Sequence, residues 1–410
     1  MMAQRTLSRP GPGAAVILLG LSQIIGYGTV YYSIAILAGD IAAEFGWPVS
    51  WVMGAFSLAL LAGGAMAPFA GRMVDRHGAG PVMTAGSLAV AAALAIASLA
   101  PGPIAFTAAL VAIELASPFV LYDAAFAALV QLCGARGGLR ITHLTLIAGF
   151  ASTLFWPFTT WLHGALDWRT ILQLFAAMNL LVCLPIHAVI ARLRPFPEAE
   201  ETAPTAGGTP ERPLPKALQP RAFAFATAGF ALSGFLLSAT LTQMVPMLAG
   251  FGIGAAALWV STLFGPAQVL VRFVNMLVGV RAHPLTVTLL AAALLPTSAL
   301  VLMATAPSEW GAAVFAVLLG FGSGLKSITQ GTVPLSLFGS QAYGARLGRM
   351  AFARHFLAAI APFAYSGLVD LFGPTIALAT FVAVGFAGLA ALAEVARIRR
   401  RALRDPPAAD

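Results

Sequence analysis

The chain is 410 residues long; 59% of it is hydrophobic and 9% charged, far below the roughly 25% charged of a typical soluble domain. A mean hydropathy of +0.88 excludes most water-soluble folds, which need polar cover, and excludes disorder, which needs low hydrophobicity. Lys and Arg number 23 against 15 Asp and Glu, a net +8, so the partner is either nucleic acid or a membrane until those charges are placed along the chain.

A bilayer-crossing helix takes about 20 mostly apolar residues. Twelve such runs follow one another, near 14–38, 50–71, 82–100, 104–131, 142–165, 170–191, 222–249, 256–280, 285–305, 310–335, 346–370 and 375–396. Short punctuation separates them, such as Gly46-Trp47-Pro48, Pro101-Gly102-Pro103 and Asp167-Trp168-Arg169, leaving no room for a soluble domain. The runs are continuous and do not alternate, which excludes a β-barrel. The basic segment 1–13 has no cleavage site after it, so the first run reads as a retained span.

The one long connection, 192–221, is rich in Pro, Glu, Thr and Gly and reads as a flexible cytoplasmic linker. The expected order is a tail (1–13), a six-helix bundle (14–191), the linker, a second bundle (222–396) and a basic tail (397–410). The fold class is therefore an all-α membrane protein of twelve transmembrane helices in two six-helix bundles.

With the N-terminus cytoplasmic, 19 of the 23 basic residues fall at that face, from Arg5, Arg9, Arg72 and Arg76 through Arg212 and Arg281 to the cluster at 397–404. Arg169 alone lies in an outer loop, so the positive-inside rule sets both termini in the cytoplasm. The net charge is then mostly topological, and a nucleic-acid partner is not expected. Cys133 and Cys183 are too few and too far apart for a disulfide framework or a zinc site, and no metal or other cofactor is expected.

The halves share a register. A shift of 208 pairs Gly46 with Gly254, Trp51 with Trp259 and Gly71 with Gly279, and a shift of 205 pairs Pro157-Phe158 with Pro362-Phe363. Parallel repeats joined by a linker suit a rocking transporter that binds substrate near midplane.

Gly71-Arg72-Met73-Val74-Asp75-Arg76-His77-Gly78, between spans two and three, resembles the G-x-x-x-D-R-x-G loop of the major facilitator superfamily. Phe45 to Pro81 and Gly149 to Arg169 resemble its monocarboxylate/oxalate–formate permease branch, and Gln23 to Thr29 with Leu144 to Phe150 resemble its arsenite-efflux permeases. The second-half copy of the loop, Gly279 to His283, lacks the Asp-Arg pair. The resemblance implies the major facilitator fold and alternating access. It also implies that basic residues in spans eight and eleven bind a substrate carboxylate, the spans that hold Arg272 and Arg354.

In the loop itself, Gly71 and Gly78 permit tight turns and close approach. Asp75 is placed to accept from a neighbouring helix N-terminus, and Arg76 to pair with a carboxylate. The four read as a gate; the alternative is a solvated turn with topogenic arginines.

Ionisable groups inside spans are costly and become functional candidates. Glu114 and Asp123 lie in span four; Arg272, Lys326 and Arg354 lie in spans eight, ten and eleven. Glu114, near midplane, is the proton-coupling candidate, with a permanently paired structural acid as the alternative. Asp123, nine positions on and out of phase, is assigned to the gate, with Pro118 bending the helix between them. The three cations suit an anion, although Arg354 has the alternative of snorkelling to the interface. Gln23, Tyr27 and Tyr31 stand at i, i+4 and i+8 on one face of span one and complete the substrate candidates, while Tyr32 falls off that stripe.

No H-E-x-x-H, P-loop or G-x-S-x-G motif is present, so an enzyme is not expected. The expectation is a secondary transporter in the bacterial inner membrane, moving a small organic anion with proton coupling and working as a monomer in lipid. Efflux of a drug-like compound or a metalloid such as arsenite is the alternative, and a non-transporting sensor the second.

Overall fold

The computed structural model describes residues 11–196, 213–279 and 282–404. Most of the linker, the tails at 1–10 and 405–410, and with them Arg5, Arg9, Arg212 and Arg281, lie outside the described residues. Among the described residues, eleven helices are long and apolar enough to cross a membrane. In order these are α1 (Pro12–Phe45), α2 (Val49–His77), α3 (Ala79–Ser98), α4 (Pro103–Cys133), α5 (Gly137–His163), α6 (Trp168–Ala191), α7 (Gln219–Thr242), α8 (Ala256–Leu277), α9 (Pro284–Thr305), α10 (Glu309–Phe338) and Tyr343–Arg404. The last is two passes, because Gly373 leaves helical geometry with φ 81°. Its halves are α11 (343–372) and α12 (374–404), which makes twelve spans in an integral membrane protein.

Local chemistry sets the boundaries. Pro12, Pro103 and Pro284 open helices at positions where a missing N–H costs nothing. Asp167 caps α6 by accepting from the Thr170 amide at 2.8 Å, and Ser308 caps α10 in the same way. The hydroxyl and amide of Thr170 hold the Asp167 carboxyl below its ordinary range. Gly46 ends α1 with φ 65°, and its repeat partner Gly254 precedes α8 with φ 59°. Both glycines supply the left-handed turn that a side chain resists.

Helices α1–α6 and α7–α12 pack as two bundles with largely separate apolar cores. The loops joining even-numbered helices to the next odd-numbered ones share a face with both described ends. That face carries Arg72, Arg76, Arg136, Arg140, Arg192, Arg194 and the 397–404 cluster, and is here called the arginine-rich face. Arg169 is at the opposite face, where its guanidinium binds Glu44 at 2.7 Å and also donates to Ser98 O at 2.7 Å and Ala100 O at 2.8 Å. The Trp168 indole donates to the same Glu44 at 2.6 Å. One arginine thus ties together the ends of α1, α3 and α6.

Helices α4, α1 and α6 of the first bundle depart from regular geometry. In α4, Pro118 cannot donate a helical hydrogen bond, so Ser117–Phe119 tightens to a 3-10 turn and Leu121 becomes extended before the helix resumes at Tyr122. The amide of Gln23 donates to the freed Val120 carbonyl at 2.8 Å. In α1, Gly28–Tyr32 forms a π-helical turn, with the Ser33 amide reaching back to Gly28 O at 3.2 Å. A matching π-turn, Asn179–Cys183, stands in α6, and Asn179 Nδ2 donates to Thr29 Oγ1 at 3.0 Å.

Candidate functional site

The bundles meet along α2–α11, α4–α11, α5–α8 and α5–α10. Among the described residues, the hydrogen bonds and ion pairs recorded between them all lie in the half nearer the arginine-rich face. At its rim, the Asp75 carboxylate accepts from the Gly344 and Ala345 amides at 2.9 and 2.7 Å. It thereby caps the N-terminus of α11 from across the bundle boundary, where the helix dipole favours negative charge. Below the cap, α2 and α11 touch backbone to backbone. A Cβ on Gly71 would stand 2.1 Å from Gly344 O, and one on Gly348 would stand 2.2 Å from Ala67 O. Gly78 turns the α2–α3 corner with φ 85°, and Gln131 of α4 holds it by bonding Ala79 N and Val74 O. Arg76 is exposed, with no ion pair among the described residues. Leu335, Tyr343 and Leu347 of the second bundle complete the seal by joining an apolar core of the first.

One layer deeper, Arg354 Nη2 reaches Asp123 Oδ2 at 3.3 Å, with both side chains largely buried. The Asp123 partner is thus a cation of α11. Arg354 is neither snorkelling nor free: it spans the two bundles. A small pocket lined by Ala67, Gly71, Pro118, Asp123, Gly344 and Gly348 lies beside this pair.

Arg272 spans the bundles at a second point. Its Nη1 donates to Thr145 O of α5 at 3.2 Å and its Nη2 to Ser327 Oγ of α10 at 3.0 Å. Gly149 makes the approach possible, since a Cβ there would sit 2.2 Å from Arg272 Nη1. The side chain is 4% exposed, no carboxylate pairs with it among the described residues, and its Nε has no acceptor there. Tyr32 and Tyr122 lie within electrostatic reach of this guanidinium. Tyr122 packs on Tyr27 with ring centroids 4.7 Å apart, and Tyr27 lies 6.4 Å from Tyr32.

The sequence-derived residues therefore separate. Tyr27 joins the aromatic group near Arg272. Tyr31 lies at the edge of this group, 44% exposed, with its ring 5.3 Å from Tyr32 and 5.8 Å from Phe56 and within electrostatic reach of Glu114. The π-turn is the cause: one extra residue per turn swings Tyr32 toward the site and breaks the i+8 alignment. Gln23 is fully buried and serves the α4 break rather than a cavity. Lys326 faces away from Arg272, into the second bundle's interior among Phe230, Ser233, Thr288, Leu295 and Leu392. Glu114 is 4% exposed beside Gly63 of α2; Ser117 Oγ donates to its Oε2 at 3.0 Å, and its Oε1 has no partner among the described residues. Sequence reasoning missed Tyr122 and Tyr32. Tyr122 had a signal, since it directly precedes Asp123 after the Pro118 break; Tyr32 had none, because π-turns leave no compositional mark.

No curated protein matches the sequence. Among solved structures, the human organic anion transporter MFSD10 (TETRAN) is similar with a TM-score of 0.73 at 15% identity, covering 94% of this chain and 100% of that one. FucP, a Major Facilitator Superfamily transporter in the outward conformation, aligns with a TM-score of 0.67 at 15% identity over 93% and 98% of the two chains. The proton:xylose symporter XylE aligns with 0.68 at 11% identity over 94% and 96%. At these identities the likeness establishes the fold. Sequence establishes more, because the Major Facilitator Superfamily family model matches residues 19–362. The chain belongs to the Major Facilitator Superfamily, a family of transporters.

Proposed function

We propose that this protein is a secondary active transporter of a small organic anion, coupled to protons and working by alternating access. The observation that carries this reading is the buried Arg272 guanidinium, which has only neutral protein partners among the described residues. A buried charge without a counter-charge is unfavourable, so the site calls for an anionic ligand. A carboxylate binds a guanidinium in two-pronged fashion, and the Tyr32 and Tyr122 hydroxyls beside it add donors. The similarity to an organic anion transporter agrees with this choice.

The same reading takes the arginine-rich face as cytoplasmic, following the positive-inside rule, in the bacterial inner membrane with both termini inside. The structure then represents a form closed toward the cytoplasm. Opening that side requires three inter-bundle links to part: Asp75 from the α11 amides, Asp123 from Arg354, and Arg272 from Thr145 O. A carboxylate on Arg272 takes over its hydrogen bonds and so loosens the third link. Glu114, buried with no cation partner among the described residues, is assigned the coupled proton. The transporter functions as a monomer.

Counterflow in proteoliposomes tests this, with carboxylates, arsenite and cationic drugs offered side by side. Carboxylates exchange, and Arg272→Ala lowers their exchange about 100-fold, as loss of a buried charge-assisted contact does. Exchange of arsenite or drugs that survives Arg272→Ala overturns the anion assignment in favour of efflux, and no flux of any solute favours a sensor. Separately, an imposed pH gradient drives carboxylate accumulation in the wild type and not in Glu114→Gln. Accumulation that ignores the gradient removes the proton role of Glu114.

A further inference from the structure

Lys326 is the one intramembrane cation that the transport reading leaves unused. It projects from α10 into a small pocket of the second bundle lined by Phe230 and Ser233 of α7, Thr288, Ala291, Ala292 and Leu295 of α9, Thr329 of its own helix, and Leu392 of α12. Gly234 of α7 lies against it: a Cβ there would be in ordinary contact with the ammonium nitrogen at 3.6 Å. Among the described residues no hydrogen bond or ion pair is recorded at Lys326 Nζ, and the charged group within electrostatic reach is another cation, Arg354, whose own carboxylate is Asp123. A second donor faces the same pocket. Ser233 is 3% exposed, and its Oγ has no hydrogen-bond partner among the described residues. The neighbouring threonines are not free in this way, since Thr288 donates to Pro284 O and Thr329 to the Lys326 carbonyl.

Two unmatched donors, one of them a cation, share a small pocket whose other walls are apolar apart from Thr288 and Thr329. The charge recorded around it is also one-sided: Arg354 is the charged group acting on Lys326, and the carboxylate of Asp123 is already taken by Arg354. Lys326 is half-buried, and an ammonium held there without a counter-charge is disfavoured; the buried Ser233 hydroxyl without a partner adds to the cost. A ligand that removes both penalties must be an anion that accepts from two donors and fits where little more than a water does. Carboxylates and phosphates are too large for the space between α7, α9, α10 and α12. We propose that this pocket is a halide site, with Lys326 and Ser233 as its ligands, distinct from the substrate position at Arg272. The ion neutralises the core of the second bundle and joins α7 to α10 through two side chains.

The test uses the full chain purified in detergent, compared in chloride and in gluconate at equal ionic strength and pH. Chloride raises the thermal midpoint by about 3 °C at saturation, as a ligand bound only by the folded state does. Lys326→Met, which replaces the charge with an apolar chain of similar length, folds and has no chloride-dependent shift. Ser233→Ala keeps the shift but needs about fivefold more chloride to reach half of it, the loss of one hydrogen bond. A bromide-soaked crystal gives an anomalous peak in the pocket. Equal midpoints for the wild type in chloride and gluconate overturn the proposal, as does a shift that persists in Lys326→Met. Should Lys326→Met fail to fold, an unchanged chloride requirement in Ser233→Ala overturns it alone. None of these readouts depends on transport, so failure here leaves the Arg272 reading standing.

Discussion

The two bundles descend from one pattern but divide the labour. The first holds the intramembrane acids, Glu114 and Asp123, and is stitched internally by polar side chains. His187 bridges Ser87 and Ser22 at 2.6 and 3.0 Å, Asn179 bridges α6 to Thr29, and Arg169 gathers three helix ends. The second holds the bases Arg272, Lys326 and Arg354, and two of them reach onto the first bundle. A rocking motion needs one rigid reference body and one set of contacts that can be exchanged. The internal ties of the first bundle suit the former. The outward-reaching arginines of the second, each bound to the other bundle through one or two hydrogen bonds, suit the latter.

This contrast can be broken at several points. The largest effect is expected at the buried inter-bundle pair. Asp123→Asn leaves Arg354 without its counter-charge, and breaking such a pair costs about 3 kcal/mol, reduced where one partner is partly solvated. The variant loses several degrees of thermal midpoint, and cysteine accessibility at the arginine-rich face increases; adding Arg354→Gln restores the midpoint because no lone charge remains. If the single and double variants melt alike, the pair is not what links the bundles. Next is the α11 cap. Asp75→Asn keeps a hydrogen-bonding side chain but removes the charge facing the helix dipole, worth about 1 kcal/mol. The population closed at the arginine-rich face then falls about fivefold relative to the open form, read by spin-label distances between α2 and α11. An unchanged distance distribution would leave the cap a local feature. The smallest effect is Arg169→Ala, which touches only the reference body. Its partly exposed ion pair and two carbonyl contacts together give about 1 kcal/mol, so the midpoint falls by about 3 °C while transport per folded molecule stays constant. A change in transport there would show that the first bundle deforms during the cycle.

The spans were legible because nothing but lipid tolerates so many consecutive apolar residues. The Pro118 break was legible for an equally direct reason, the missing amide proton. Side-chain direction was not. Lys326 and Ser327 are sequence neighbours, yet about 100° per residue on a helix sends one into the bundle interior and the other to Arg272. Counting phase between Glu114 and Asp123 assumed an unbroken helix, and the extended Leu121 resets that count. Likewise the i, i+4, i+8 stripe of α1 presumed regular turns, and the Gly28–Tyr32 π-turn exchanged Tyr31 for Tyr32. The sequence suggested that Asp75 would meet a helix N-terminus, but the helix that supplies it lies 269 positions away, a distance only the fold can close.

The seal between α2 and α11 has a further implication for how this protein can vary. Gly71, Gly344 and Gly348 are held there by the absence of a side chain, with backbone oxygens where a methyl group would go. In a saturation scan these positions would register as intolerant as any ligand-binding residue while touching no ligand. Tolerance maps of such a protein therefore mark two different things, the chemistry proposed for Arg272 and sheer thinness at the seal, and only the size dependence of the damage, methyl against isopropyl, tells them apart.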